Sequence, residues 1–184
     1  MTPYVLLDRD GTLVHDEGYT HRVADYALLD GVVEGLRALA AGGFRFAIVT
    51  NQSGIGRGYY SEDEFARFQS HLVADLARQG VAIDATFHCP HAPSAACACR
   101  KPAAGLMDRI RAALDIDVAH SWMVGDSERD VGFARNARLA GAVLLRADAS
   151  AAPRVARDLR EAARHILSAT RAAAVAGRDA PTAD

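Results

Sequence analysis

Apolar residues along the chain alternate between short continuous runs and longer stretches at helical spacing, in an order that predicts a layered α/β fold. Tyr4-Val5-Leu6-Leu7 reads as a short buried strand. The next run, Phe44 to Val49, follows a helical stretch that begins after Gly31 and is closed by Gly42-Gly43, which makes a β-α-β unit. Ser61 with Glu64 three residues later is the pattern of a capping box and opens a helix to about Gln79. Val81 to Phe87 supplies a third strand, a helix is expected from Ala103 to about Leu114, and Ser121 to Val124 reads as a fourth strand. Ser127 is placed to cap a helix ending near Gly141, and Ala142 to Leu145 gives a fifth strand. Between Pro153 and about Arg171, the residues Val155, Leu159, Ala162, Ala163, Ile166 and Leu167 recur at helical spacing, so a last amphipathic helix is expected there.

Strands alternating with helices imply a mostly parallel sheet covered on both faces, that is, a single Rossmann-like three-layer α/β/α domain. The expected domain covers residues 1–172, with 173–184 as a flexible tail. Residues 8–30, 51–60 and 89–102 are the longest irregular segments, and each follows a predicted strand. In an open α/β sheet that edge is where ligands bind. No long insertion follows Asp10 or Asn51, so no large cap domain is expected and the three loops must shape any pocket.

Charge narrows the class of partner. Lysine and arginine number 21 against 23 acidic residues in 184, so no overall positive charge favours nucleic acid or an acidic membrane. The apolar runs, such as Phe46-Ala47-Ile48-Val49, are far too short to span a bilayer, and the residues before Asp8 lack the apolar region of a secretion signal. The expectation is a cytoplasmic, monomeric protein that acts on a small molecule. His15, His21, His71, His120 and His165 have no paired spacing and read as surface or packing residues, and Trp122 reads as core.

Asp8-Arg9-Asp10-Gly11-Thr12 carries the most chemistry. Two carboxylates two residues apart, where a buried strand gives way to a loop, can face one small site. A carboxylate is a competent nucleophile toward a phosphoryl group, and a magnesium ion would offset its repulsion from the incoming phosphate. Asp8 is the candidate nucleophile. Asp10 is placed to protonate the leaving alkoxide and afterwards to take a proton from water. Taken alone, the segment is equally well read as an acidic turn. Three further segments, each at the end of its own strand, shift that balance. Thr50-Asn51 offers a hydroxyl and an amide to the transferring oxygens, Lys101 offers a positive charge, and Gly125-Asp126, with Asp130 on the following helix, offers hard oxygen ligands for magnesium.

Cys89-Pro90-His91, followed after five residues by Cys97-Ala98-Cys99, presents three thiolates and an imidazole, the ligand set of a closed tetrahedral zinc site. Four protein ligands leave no position for water, so the zinc is expected to be structural, holding the loop 89–102 and delivering Arg100 and Lys101 to the phosphate site. A loop of reduced thiols or a chance disulfide is the plainer reading of the same cysteines.

Together, Asp8-Arg9-Asp10-Gly11-Thr12, Thr50-Asn51-Gln52-Ser53, Cys99-Arg100-Lys101-Pro102 and Gly125-Asp126 resemble the motifs of the haloacid dehalogenase superfamily of phosphatases. The resemblance covers about residues 4 to 146. Within the superfamily it is to the branch that contains heptose bisphosphate phosphatase and the histidinol-phosphate phosphatase domain. It implies Asp8 as nucleophile and Asp10 as acid/base, with magnesium held by the Asp8 side chain, the Asp10 carbonyl and Asp126. It also implies that Thr50 and Lys101 steady the phosphoryl group, and that a zinc loop lies between the second and third catalytic segments.

The heptose enzymes carry a segment like Asp16-Glu17-Gly18-Tyr19 and one like residues 50 to 58, so the resemblance puts Asp16, Tyr19, Asn51, Gln52, Ser53 and Arg57 at the substrate. Arg57 and Arg100 could then grip a second phosphate. The activity implied is removal of the C7 phosphate of D-glycero-D-manno-heptose 1,7-bisphosphate. Two departures point elsewhere: the loop between the zinc pairs is short, as in the histidinol-phosphate branch, and Ser127 stands where some heptose enzymes have lysine. Histidinol phosphate is therefore the rival substrate, and a non-catalytic zinc-stabilised binding module is the rival of another class.

Overall fold

The computed structural model describes residues 1–146 and 154–178. Its strands are β1 (Tyr4–Leu7), β2 (Arg45–Asn51), β3 (Ala85–Cys89), β4 (Trp122–Gly125), β5 (Gly141–Leu145) and β6 (Val155–Ala156). All pair in parallel, in the order β3-β2-β1-β4-β5-β6. The helices are α1 (Val32–Ala41), α2 (Ser53–Gly56), α3 (Glu62–Arg78), α4 (Leu106–Ala113), α5 (Glu128–Ala137) and α6 (Leu159–Arg178). No helix among the described residues is long and apolar enough to cross a membrane.

The period of two along each strand sorts the core into two layers. Val5 and Leu7 of β1 pack with Leu36 of α1, Phe68 and Leu72 of α3, and Ala162 and Ile166 of α6. Tyr4 and Leu6 face the other way, onto Leu106 and Ile110 of α4 and Phe133 and Ala137 of α5. Both faces of the sheet are thus covered, as the unbroken apolar strands required. Trp122 belongs to the first of these layers.

Several boundaries differ from the sequence expectation. The third strand begins at Ala85 rather than Val81, because Gly80, left-handed at a φ of +76°, turns the chain, and Val81 then fills the core beneath α3 as part of a loop. Val155 lies in β6, paired beside Leu144, and the last helix starts only at Leu159, where Asp158 Oδ1 accepts the Glu161 backbone N–H at 2.8 Å. That helix also continues past Arg171 to Arg178. Its later residues 171–175 are exposed, so the alanine-rich sequence, rather than an apolar face, carries the extension. The expected tail from 173 is therefore helical as far as 178, and the rest of it lies outside the described residues.

What positions the site is strand order. β1 and β4 are neighbours in the middle of the sheet, and the chain leaves them for opposite halves, so a crevice opens beyond their carboxyl ends. Asp8 follows β1 and Asp126 follows β4, at the two lips of that crevice.

Candidate active site

The crevice holds a pocket of about 400 Å³. Asp8, Asp10, Asp16, Tyr19, Thr50, Asn51, Gln52, Ser53, Arg57, Arg100, Lys101, Asp126 and Asp130 all line it, so the fold brings together every residue singled out from the sequence for the phosphate site. Carboxylate oxygens of Asp8, Asp126 and Asp130 lie within 4.8 Å of one another, a spacing that suits a single divalent cation. Gly11, at φ +70°, makes that approach possible: a Cβ there would stand against the Asp126 carboxylate.

Lys101 is fully buried, and its ammonium lies 3.0 Å from Asp8 Oδ1 and 2.6 Å from Asp130 Oδ1 while donating to the Val49 carbonyl at 2.6 Å. Burial opposes its charge, but the two carboxylates outweigh that and hold its pKa above the ordinary lysine value. Burial pushes Asp130 up to about 7 against the pull of Lys101. Asp126 is raised as well, by burial and then by the charge of Asp8. The three carboxylates are crowded, with Asp130 buried, Asp8 partly buried and Asp126 open to solvent, and a cation among them would relieve their mutual repulsion.

Asp10 lines the same pocket. Burial raises it to about 6, even though the Arg9 guanidinium acts to lower it. A carboxyl in that range can both give and take a proton near neutral pH. Gln52 Nε2 donates to Asp10 Oδ2 at 2.7 Å and to Thr50 Oγ1 at 2.8 Å, and the Tyr60 hydroxyl donates to Gln52 Oε1 at 2.6 Å. The tyrosine thereby fixes which way the amide points.

Other side chains turn out to hold the frame. Asn51 Nδ2 donates to the Lys101 carbonyl at 3.1 Å and its Oδ1 accepts the Lys101 N–H at 3.0 Å, so this amide pins the lysine loop to the end of β2. Asp16 Oδ1 accepts the N–H of Gly18 at 3.0 Å and of Thr20 at 3.3 Å, together with the Thr20 hydroxyl, which builds the turn that carries Tyr19 to the pocket. Tyr19 has a φ of +62° and meets Tyr59 edge to face at 4.8 Å. Ser127 and Asp130 form a reciprocal capping box on α5.

Sequence reasoning missed Arg9, Tyr60 and Arg129. Tyr60 and Arg129 line the pocket, and nothing in their local sequence marks them, because loop and helix geometry alone bring them there. His21, read as a surface residue, stacks on Tyr60 with ring centroids 4.6 Å apart. Arg9 did carry a signal: it follows a buried strand and is flanked by two aspartates, and a guanidinium buried there has to find a charged partner.

The second cluster lies beside the first. Cys89, His91, Cys97 and Cys99 present ligand atoms with separations of 3.3 Å between Cys89 and Cys99, 3.4 Å between Cys97 and Cys99, 3.5 Å between Cys89 and Cys97, and 3.2 Å from His91 Nδ1 to Cys99. All three cysteines are free, and these sulfur separations exceed any disulfide bond, so the disulfide reading does not hold. They are close to the edges of a tetrahedron about one ion with bonds of about 2.0–2.3 Å. Burial and the neighbouring thiols push Cys89 up to about 12, a cost that a bound divalent cation would remove.

A doubly wound sheet whose switch point carries paired aspartates, a buried lysine and a further acidic pair defines a hydrolase of the haloacid dehalogenase class. Residues 98–172 match the HAD-hydrolase-like family model. Among curated relatives, the D-glycero-beta-D-manno-heptose-1,7-bisphosphate 7-phosphatase of Yersinia pestis is 40% identical, over 78% of this chain and 80% of its own. The enzyme of the same description from Escherichia coli K12 is 39% identical, over 78% and 79%. Among solved structures, D,D-heptose 1,7-bisphosphate phosphatase from B. bronchiseptica, complexed with magnesium and phosphate, superposes with a TM-score of 0.80 at 29% identity, covering 91% of this chain and 99% of that one. The chain belongs to the HAD-like phosphatase family that these heptose bisphosphate phosphatases represent, and it is a phosphatase. The reading as a non-catalytic module is accordingly set aside.

Proposed function

We propose that this phosphatase removes the C7 phosphate of D-glycero-D-manno-heptose 1,7-bisphosphate through a phospho-aspartate on Asp8. The observation that carries the mechanism is the placement of Asp8 beside the Lys101 ammonium, 3.0 Å away, with oxygens of Asp126 and Asp130 within 4.8 Å. Kinship to the curated heptose enzymes supports the substrate. An Asp8 oxygen attacks phosphorus, the bond from phosphorus to the sugar oxygen breaks, and Asp10 gives its proton to that oxygen. Water then attacks the same phosphorus and loses a proton to Asp10, which frees inorganic phosphate and restores the Asp8 carboxylate. Lys101 and Thr50 face the oxygens that gain charge, and Asn51 keeps Lys101 in place.

The Asp8 and Asp126 side chains and the Asp10 carbonyl are the proposed magnesium ligands, with Asp130 holding Lys101 behind them. When bound, the ion supplies charge neutralisation for an anionic nucleophile meeting an anionic phosphate. Arg57 and Arg100, which line the same pocket, are the proposed grips for the second phosphate, with Asp16, Tyr19, Gln52 and Ser53 around the sugar. The test is phosphate release with magnesium from the heptose bisphosphate and from histidinol phosphate in parallel. A strong preference for the bisphosphate supports this reading. A preference for histidinol phosphate would overturn the substrate and make the short zinc loop the better guide.

Zinc on Cys89, His91, Cys97 and Cys99 is proposed to be structural. The loop it closes is short of apolar residues and ends in the two cations of the site. Loading at about 1,000 times the dissociation constant stabilises a fold by about 4 kcal/mol, which in a domain of this size is a melting shift of roughly 8–16 °C. Stripping the protein with a strong chelator, and then restoring magnesium alone, should lower the melting temperature by an amount of that order. Cys97→Ser should behave likewise. Equal melting with and without the chelator would refute the assignment.

A further inference from the structure

Arg9 is fully buried in a chain that could have filled the same space with an apolar residue. Burying a guanidinium is costly, and replacing a buried ion pair by well-packed apolar groups is often neutral or stabilising, so fold stability does not account for the choice. Its contacts are specific. Arg9 Nε donates to Asp10 Oδ1 at 2.8 Å, Nη2 lies 2.7 Å from the same oxygen, and Nη2 also donates to the Thr20 carbonyl at 2.8 Å. Nη1 has no hydrogen-bond partner among the described residues. Instead the guanidinium carbon lies 4.8 Å from the Phe68 ring centroid and 5.5 Å from that of Phe65, so aromatic faces hold the side chain where a hydrogen bond does not.

We infer that Arg9 is the positioning residue for proton transfer by Asp10, a conclusion that rests on the acid/base role proposed above for that aspartate. Arginine does not give up its protons, so Oδ1 of Asp10 is permanently occupied as an acceptor. The proton that Asp10 carries is thereby steered to Oδ2, the oxygen on the side of Gln52 and the pocket. Two donors on one oxygen also stop the carboxyl from rotating. Through the Thr20 carbonyl, the same guanidinium ties this oxygen to the turn that carries Asp16 and Tyr19, so the acid and the substrate turn share one anchor. Lysine could meet one of these acceptors but not span both.

A pair of small esters separates this role from a general loss of structure. Benzyl phosphate releases an alkoxide, which needs a proton from Asp10. p-Nitrophenyl phosphate releases a stable phenolate, which does not. With kcat/KM as the readout, which covers only the steps up to departure of the alcohol, Arg9→Met should lower the benzyl ester at least tenfold more than the nitrophenyl ester. Asp10→Asn should show the same bias at least as strongly, and Arg9→Lys should fall between wild type and Arg9→Met. If Asp10→Asn shows the bias and Arg9→Met lowers both esters equally, Arg9 is a packing residue and the inference fails while the acid assignment stands. If Asp10→Asn itself shows no bias, the acid assignment fails and takes this inference with it. Should Arg9→Met not fold, Arg9→Lys decides by the same ratio: no bias refutes the role.

Discussion

Asp8→Asn abolishes phosphate release while the protein stays folded: that is the largest single effect expected. The substitution keeps the shape of the side chain and replaces a nucleophilic oxygen with an amide, which cannot form the phospho-enzyme. The loss should be roughly 10⁴-fold or more, the scale seen when a covalent nucleophile is removed. Stability should hardly move. Asp8 stands among carboxylates whose oxygens lie within 4.8 Å, so losing one charge relieves repulsion, while Lys101 loses one partner and keeps Asp130 and the Val49 carbonyl. These effects oppose each other, and the melting temperature should stay within about 2–4 °C, the shift that 1 kcal/mol makes in a domain of this size. Labelled substrate should leave phosphate on the wild-type protein and none on the variant. A variant that keeps near-normal turnover would end the covalent mechanism.

Lys101→Met should damage both activity and stability, which distinguishes it from Asp8→Asn. The ammonium touches the nucleophile candidate, a second buried carboxylate and a strand carbonyl at once. Removing one preorganised electrostatic partner of the reacting group costs about 10²–10³ in turnover. Breaking a buried pair from one side costs about 3–5 kcal/mol because the surviving charge is stranded. Asp130, already raised to about 7, can escape part of that cost by taking up a proton. The low end of the range is therefore expected, a fall of roughly 6–12 °C in melting temperature. Lys101→Arg should not restore activity, since a planar guanidinium does not fit a fully buried slot shaped by three close oxygens. Restoration by arginine, or an unchanged melting temperature in the methionine variant, would show that the lysine is neither shaped for this place nor needed in it.

Local pattern was enough for much of this. The order of strands and helices is carried by apolar runs and spacing, because a strand buried on both faces and a helix buried on one each leave a distinct period in the sequence. The capping box at Ser61 and the cap at Ser127 were legible for the same reason, although the return bond from Asp130 to Ser127 was not read. So were the candidate ligand sets, because Asp8 with Asp10, and Cys89 with His91, are close along the chain and their chemistry is explicit in the residue types.

What only the tertiary structure decided is what depends on contacts between distant segments. Strand order put Asp8 and Asp126 at one switch point, and a sixth strand formed where helical spacing alone had placed a helix. Asn51, read as a group for the phosphoryl oxygens, proved to hold the Lys101 backbone fifty residues away. Tyr60 and Arg129 reached the pocket with no local mark, and Arg9 gained its meaning from Phe65, Phe68 and Thr20. A sequence period records how much of a side chain is buried, whereas the partner it finds there is set by where the rest of the chain has been folded.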